Sequence, residues 1–294
     1  MNNKAKCVPL SAYLELTKPR IALMVIVTAA IGYFMGLVHH DAPGNMQQFF
    51  LAMLGIALAG GGASVLNQYL EQDTDALMER TKNRPIPAGL ISASIALYMG
   101  VTMVLSGCLV LLIQVNLLTA FLTLLSAFLY VLVYTPMKRL TWWNTSVGAI
   151  PGAMPPLIGW AAATNSLNAG GWILFAILYI WQHPHFWAIA WMYREDYARG
   201  GMKMLPVVDP DGPMLARQTI GFSLLMIPVS LIPTFIDMSG WLYFVGALVL
   251  GLMFLWYGIV FVRNKTQDTA RTLMRFSLIY LPLLLIIIAL DSAL

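Results

Sequence analysis

The polar stretch from Asn67 to Asp75 follows an apolar run and has the residue types of a metal site. Asn67, Glu71 and Asp75 are spaced four residues apart, so at 100° per residue they lie within about 80° of one another on one helix face. We call these three residues the acidic face. Two carboxylates and an amide supply oxygen ligands, which suit Mg²⁺ bound together with water and substrate phosphates. The spacing therefore predicts a catalytic Mg²⁺ site, with Asp73 on the opposite face.

Basic residues near the acidic face extend this prediction to a bound phosphate. Arg80, Lys82 and Arg84 follow in one short loop, and such side chains bind phosphate oxygens directly. Lys138, at the end of a later apolar run, is either a further diphosphate ligand or a lysine that anchors the helix at the membrane interface. An ordinary charged loop remains the alternative for the first three residues.

A second charged loop resembles the first in its composition. Asp196 is its best candidate for a catalytic ligand of a second Mg²⁺, and Arg199 and Lys203 are spaced to hold a diphosphate. Alternatively, Glu195 and Arg199 are a simple helix-surface ion pair. The residues leave both interpretations open.

Two histidines, His183 and His185, lie within a long apolar run on either side of Pro184. Imidazoles inside a membrane span are costly and indicate function by default. Either ring could ligate haem iron, and the aromatic neighbours could pack on a porphyrin. The alternative is a histidine that is hydrogen-bonded between helices, or to a carbonyl freed by the proline.

The amino-acid composition indicates which class of protein carries these residues and which kind of secondary structure positions them. Of the 294 residues, 59% are hydrophobic and 10% are charged, against about 25% charged in a soluble domain. This excludes a soluble globular protein, a disordered chain and a coiled coil. A span needs about 20 apolar residues, and nine runs qualify: Ile21–Val38, Phe49–Leu66, Leu90–Ile113, Asn116–Tyr134, Trp142–Ala163, Gly171–Met192, Ile220–Ile236, Trp241–Val262 and Leu273–Leu290.

Charge placement supports this count. All 17 basic residues precede the first run or lie on or at the border of alternate connections, and the positive-inside rule assigns that side to the cytoplasm. We predict an all-α polytopic membrane bundle of nine transmembrane helices, with a cytoplasmic N-terminus and a periplasmic C-terminus. Residues 1–20 are predicted to be a cytoplasmic tail and residues 21–294 a single membrane domain, with loops 67–89 and 193–219 capping the active site. We find neither a secretory signal nor a transit peptide, so we expect a bacterial inner membrane.

A metal and basic residues at the mouth of an apolar bundle predict the class of substrate. It has a charged head and a hydrocarbon tail, and an isoprenyl diphosphate fits. Neutralising the departing diphosphate would leave an allylic cation, which the apolar bundle would protect from water. The second substrate must then offer an electron-rich carbon.

Several motifs resemble those of the UbiA-type intramembrane prenyltransferases, over a region from about Leu16 to the last span. Within that superfamily the similarity is greatest to the haem farnesyltransferases. The resemblance is carried by the acidic face and by the segments Met78–Pro85, Tyr134–Arg139, Trp181–Phe186, Asp196–Tyr197 and Met204–Pro206.

This resemblance implies that farnesyl diphosphate is ionised and that its C1 joins a vinyl group of haem B. Water then adds, giving the hydroxyethylfarnesyl side chain of haem O. It also implies that the acidic face binds Mg²⁺-diphosphate and that a downstream haem-modifying enzyme or terminal oxidase is a partner. Two departures stand out. The superfamily usually has Asp where this chain has Glu71, and its second Asp-x-x-x-Asp motif aligns with Tyr193 and Tyr197.

Three other functions compete with this interpretation. An aromatic prenyltransferase acting on quinone precursors shares the first loop but predicts no haem binding. A secondary transporter favours inverted repeats and midplane charges, whereas the charges here lie at one side. A haem carrier without catalysis would not need the diphosphate loop.

Overall fold

The computed structural model describes residues 8–40 and 43–292, and every regular element in these ranges is helical. This confirms the all-α fold class. In chain order the helices are α1 (Leu10–Leu16), α2 (Pro19–His39), α3 (Met46–Asp75), α4 (Ala93–Gln114), α5 (Leu117–Phe128), α6 (Thr135–Leu140), α7 (Asn144–Thr164), α8 (Ala169–Met192), α9 (Arg194–Arg199), α10 (Leu205–Val208), α11 (Pro213–Phe235), α12 (Trp241–Asn264) and α13 (Gln267–Asp291), with a π-helical segment, Leu129–Tyr134, between α5 and α6.

Eight helical segments in the described ranges are long and apolar enough to cross a membrane. They correspond to eight of the nine predicted runs, with α5, the π-helical segment and α6 forming one continuous rod. The remaining run is α7, which has 21 residues and three internal prolines but is less apolar than the others. The count of nine spans and the sides on which the termini lie stay predictions.

The predicted N-terminal tail contains a packed helix. Ala12 and Leu16 of α1 are buried in a small core with Val65 of α3. The side chain of Gln68 donates a hydrogen bond to the Leu16 carbonyl at 2.9 Å. Helix α1 therefore ties the start of the chain to the polar end of α3. Cys7 and the other residues up to position 7 lie outside the described ranges.

The fourth predicted span extends six residues beyond the predicted end at Tyr134, to Leu140. The extension passes through the π-helical segment, which the apolar pattern did not reveal. Pro136 lacks an N–H group and its ring crowds the carbonyl four residues earlier, so regular α-helical bonding cannot continue there. The Thr135 hydroxyl instead donates to the Tyr130 carbonyl at 2.9 Å. The wider turn redirects the side chains of this segment.

Helix α7 remains unbroken although it contains Pro151, Pro155 and Pro156. Its packing on α2 is very close. A Cβ added at Gly32 of α2 would lie 2.0 Å from the Pro156 carbonyl oxygen. A Cβ added at Gly159 would lie 1.8 Å from the Ala29 carbonyl oxygen. These two glycines allow the backbones to touch, as small residues do between membrane helices.

We expect Gly32→Ala to destabilise the protein by about 1–3 kcal/mol, because α2 and α7 must separate to admit the methyl group. Gly221→Ala is the matched control, since a Cβ at Gly221 meets nothing within 4 Å. Thermal unfolding in detergent measures both variants. Equal melting temperatures for the two would contradict this account of the α2–α7 contact.

The helices form two groups around separate cores. One core combines buried residues of α2–α5 and α7, and the larger one is built mainly from α8 and α11–α13. Helix α7 packs on both α2 and α8 and so joins the two groups. The polar end of α3 and the loop that follows it lie beside α6 and α9, where the charged residues converge.

Candidate active site

The acidic face lies on the last turns of α3, which continues as a helix to Asp75. The structure buries all of its members: Asn67 and Asp75 are 0% exposed and Glu71 is 6% exposed. Asp73, on the same helix, is exposed. The predicted face is therefore turned into the protein, which is unusual for carboxylates unless they are paired.

Each carboxylate of the acidic face is paired with a basic side chain. Glu71 Oε1 lies 2.7 Å from Lys138 Nζ, and Asp75 Oδ2 lies 2.7 Å from Arg84 Nη1. Lys138 also lies over the Tyr134 ring, 4.7 Å from its centroid. The structure thus brings Lys138 and Arg84 to the predicted metal ligands, and a role for Lys138 in diphosphate binding stays a prediction.

Lys18 contacts the third member of the acidic face and was not among the predicted site residues. Its Nζ donates to Asn67 Oδ1 at 2.7 Å and to the Tyr130 hydroxyl at 3.4 Å. Burial, together with the positive charges of Arg84 and Lys138, lowers the pKa of Lys18 to about 7. The signal in the sequence is a lysine directly before Pro19 at the start of a span, which by itself indicates only topology.

One oxygen of the acidic face lacks a partner within the described residues. Asp75 Oδ1 is buried and accepts no hydrogen bond there, a costly state for a carboxylate oxygen. No group of three His, Cys, Asp or Glu side chains in the described ranges is arranged to hold a metal unaided. A cation at this oxygen would therefore draw its other ligands from an amide, water or a bound phosphate, which is the habit of Mg²⁺.

Asp196 joins the two charged loops. Its Oδ1 accepts a hydrogen bond from the Glu79 backbone N–H at 3.1 Å and another from the Arg199 guanidinium. Burial raises the pKa of the Asp196 carboxyl, but the hydrogen bonds from Arg199 and Glu79 outweigh it, and the net shift is downward. The Asp196 carboxylate therefore links the loop after α3 to helix α9.

Arg80 makes a second link between these loops. Its Nη2 donates to the Tyr197 hydroxyl at 3.1 Å, and its Cζ lies 4.8 Å from the Tyr193 ring centroid and 5.1 Å from that of Tyr197. The two tyrosines at the positions of the superfamily's second acidic motif therefore hold an arginine.

The other basic candidates point outward. Lys82 pairs with Glu79 at 2.6 Å, and both side chains are largely exposed. Lys203 is exposed, and its backbone N–H donates to the Lys138 carbonyl at 2.7 Å. Their role in diphosphate binding stays a prediction.

The two histidines on α8 are buried and contact different helices. His183 uses both ring nitrogens, Nδ1 with the Tyr179 carbonyl at 2.7 Å and Nε2 with the Ser146 hydroxyl at 3.1 Å. His185 Nδ1 contacts the Ser277 hydroxyl on α13 at 2.6 Å. The hydrogen-bonded alternative that the sequence left open therefore applies to both rings, while haem contact stays a prediction.

Sequence comparison decides the family. The profile of the UbiA prenyltransferase family matches residues 25–280, most of the chain. The chain belongs to the UbiA prenyltransferase family. This UbiA-family protein is 46% identical over 285 residues to the protoheme IX farnesyltransferase of Solibacter usitatus, covering 95% of this chain and 98% of the relative. It is 46% identical over 281 residues to the protoheme IX farnesyltransferase of Salinibacter ruber, again covering 95% and 98%.

Solved structures of the family share the fold. A chain from work on digeranylgeranylglyceryl phosphate synthase superposes with a TM-score of 0.79 at 17% identity, covering 96% of this chain and 98% of that one. A UbiA homologue from Archaeoglobus fulgidus, solved bound to GPP and Mg²⁺, gives a TM-score of 0.65 at 15% identity, with 94% and 99% covered. The protein is thus a multi-span membrane protein of the UbiA family with bacterial relatives, and the resemblance inferred from its motifs is confirmed.

Proposed function

We propose that this protein converts haem B to haem O by transferring a farnesyl group from farnesyl diphosphate to a haem vinyl group. The observation that carries the proposal is 46% identity across 95% of the chain to relatives named protoheme IX farnesyltransferase. In this reaction the C1–O bond of farnesyl diphosphate breaks and C1 bonds to the terminal vinyl carbon. Water then adds to the resulting carbocation and releases a proton, giving the hydroxyethylfarnesyl side chain.

Asn67, Glu71 and Asp75 are the residues that would hold Mg²⁺, with Asp196 as the candidate for a second ion. The buried, unpartnered Asp75 Oδ1 fits a cation ligand, and the family member solved with GPP and Mg²⁺ supports the same cofactor here. When bound, the metal neutralises negative charge on the departing diphosphate.

The chain's own basic side chains complete the diphosphate site. Arg84 and Lys138 already lie at the acidic face, and Arg80 lies between the tyrosines of the second loop. Together they orient the leaving group and stabilise its charge. The apolar helices would hold the farnesyl chain and keep water from the allylic cation.

The same proposal covers location and partners. We infer that the two charged loops face the cytoplasm at a bacterial inner membrane, and the basic residues on alternate connections support this. Residues 21–294 act as one membrane domain, and the product passes to a downstream haem-modifying enzyme or terminal oxidase.

Haem contact is expected to depend on His185 more than on His183. Within the described residues the His185 ring is hydrogen-bonded at Nδ1, whereas both nitrogens of His183 are engaged. We expect His185→Gln to shift the Soret band of bound haem B and to weaken haem binding about tenfold, since an iron ligand or its close neighbour is lost. His183→Gln is the control, and equal effects in a haem titration would contradict the assignment.

The direct test incubates the purified protein in detergent with haem B, farnesyl diphosphate and Mg²⁺, followed by mass spectrometry of the haem. We expect a hydroxyethylfarnesyl haem. Unmodified haem together with prenylation of a phenolic acceptor would instead favour a quinone-precursor prenyltransferase. If neither acceptor reacts in folded protein, transport of the diphosphate becomes the function to test.

A further inference from the structure

Every member of the acidic face has one basic side chain on its oxygen, at 2.7 Å in each case. Two of these pairs join opposite charges, as is usual for buried carboxylates. The third is different, because the ammonium of Lys18 lies on the uncharged amide of Asn67. The ion-pairing of the carboxylates therefore does not explain why a third, half-buried basic side chain lies here.

The backbone holds Lys18 in this place. It lies between α1 and α2 with φ 50° and ψ 64°, a left-handed conformation, directly before Pro19. Such a conformation is uncommon and strained for a residue other than glycine. An ammonium has three N–H donors, and Asn67 and Tyr130 account for two of them. The third N–H of Lys18 Nζ therefore remains available to an anion bound beside the acidic face.

We propose that Lys18 is a diphosphate-binding residue that also keeps a free metal ion off the acidic face. Lys18 Nζ donates to Asn67 Oδ1, and when a diphosphate binds together with its metal, Lys18 turns to a diphosphate oxygen and releases the amide for the metal. The inference rests on the proposed function only in taking the ligand to be a diphosphate.

Removing Lys18 has two consequences of opposite sign. Metal alone binds more tightly, because Asn67 Oδ1 is freed and a nearby positive charge is gone. Diphosphate binds more weakly, because a charge-assisted hydrogen bond is lost. A residue with a merely structural role would weaken both, since its loss would disorder the end of α3.

The experiment compares wild type and Lys18→Met in detergent, without haem or a prenyl chain. Binding of Mn²⁺ alone is followed by its EPR signal, and binding of inorganic pyrophosphate with Mg²⁺ by calorimetry. We expect Lys18→Met to bind Mn²⁺ at least about fivefold more tightly and pyrophosphate about tenfold more weakly, the second corresponding to one charge-assisted contact of about 1.4 kcal/mol. Arg20→Met is the matched control, since Arg20 is exposed at the same helix start.

Tighter binding of Mn²⁺ together with weaker binding of pyrophosphate supports the proposal, and every other combination of the two affinities overturns it. Lys18→Gln removes the same charge, keeps a polar side chain beside Asn67, and decides the result if the Met variant does not fold. The outcome is separate from the proposed function, because no haem is involved. Opposite shifts in a protein that fails to modify haem would leave this inference standing and remove the haem reaction.

Discussion

Replacing Asp75 by asparagine is expected to lower kcat/KM for haem farnesylation by about a hundredfold to a thousandfold, the loss typical of removing a group that stabilises developing charge. Asp75 is fully buried, with Oδ2 on Arg84 at 2.7 Å and Oδ1 unpartnered within the described residues. The amide keeps the shape of the side chain but removes the charge that attracts a cation and that orients the arginine.

Asp73→Asn is the matched control for this prediction. It makes the same chemical change two residues away on the same helix, at an exposed position, so we expect an effect of less than about threefold since surface changes are mostly neutral. Steady-state rates with haem B and farnesyl diphosphate measure both variants. Comparable losses in the two, or near-normal activity in Asp75→Asn, would show that the acidic face is not the catalytic site.

The second large effect concerns stability. Lys138→Met is expected to reduce the free energy of unfolding by about 3–5 kcal/mol, because it leaves the Glu71 carboxylate buried without its counter-charge. The side chains of this pair are only 14% and 7% exposed, and the Nζ–Oε1 distance is 2.7 Å. Unfolding in detergent, followed by circular dichroism, measures the loss.

The double variant Glu71→Gln/Lys138→Met separates the contribution of the ion pair to stability from its contribution to activity. Removing both charges eliminates the unpaired ion, so we expect most of the lost stability to return. We expect activity to be lost in the double variant, because a proposed metal ligand and a proposed diphosphate ligand are both removed. Arg139→Met, at the neighbouring position and largely exposed, is the control for a general loss of positive charge. A double variant as unstable as Lys138→Met would contradict the ion-pair explanation.

The sequence predicted the parts of the site that depend on local periodicity. Spacing four residues apart placed Asn67, Glu71 and Asp75 on one helix face, and the structure buries all three on α3. Eight of the nine apolar runs each correspond to one long helix, and the fourth corresponds to α5 with the π-helical segment that continues it, because hydrophobic length is visible without tertiary information.

The parts that were missed depend on contacts between distant segments. Lys18 reaches Asn67 across 49 residues through a left-handed turn that no local pattern reveals. The π-helical segment adds a wider turn inside an apolar run, which leaves hydrophobicity unchanged. Spacing alone allowed Lys138 to be an interface anchor, and only the packing of α6 against α3 brings its Nζ to Glu71.

A crystal structure with Mn²⁺ and an unreactive farnesyl thiodiphosphate, in which anomalous scattering locates the metal, would show whether the acidic face holds the metal. We expect a metal peak in coordination contact with Asp75 Oδ1 and at least one of Asn67 and Glu71. We also expect Arg84 and Lys138 to contact the diphosphate. A metal peak away from the acidic face, or a diphosphate bound without these two basic side chains, would contradict the proposed site.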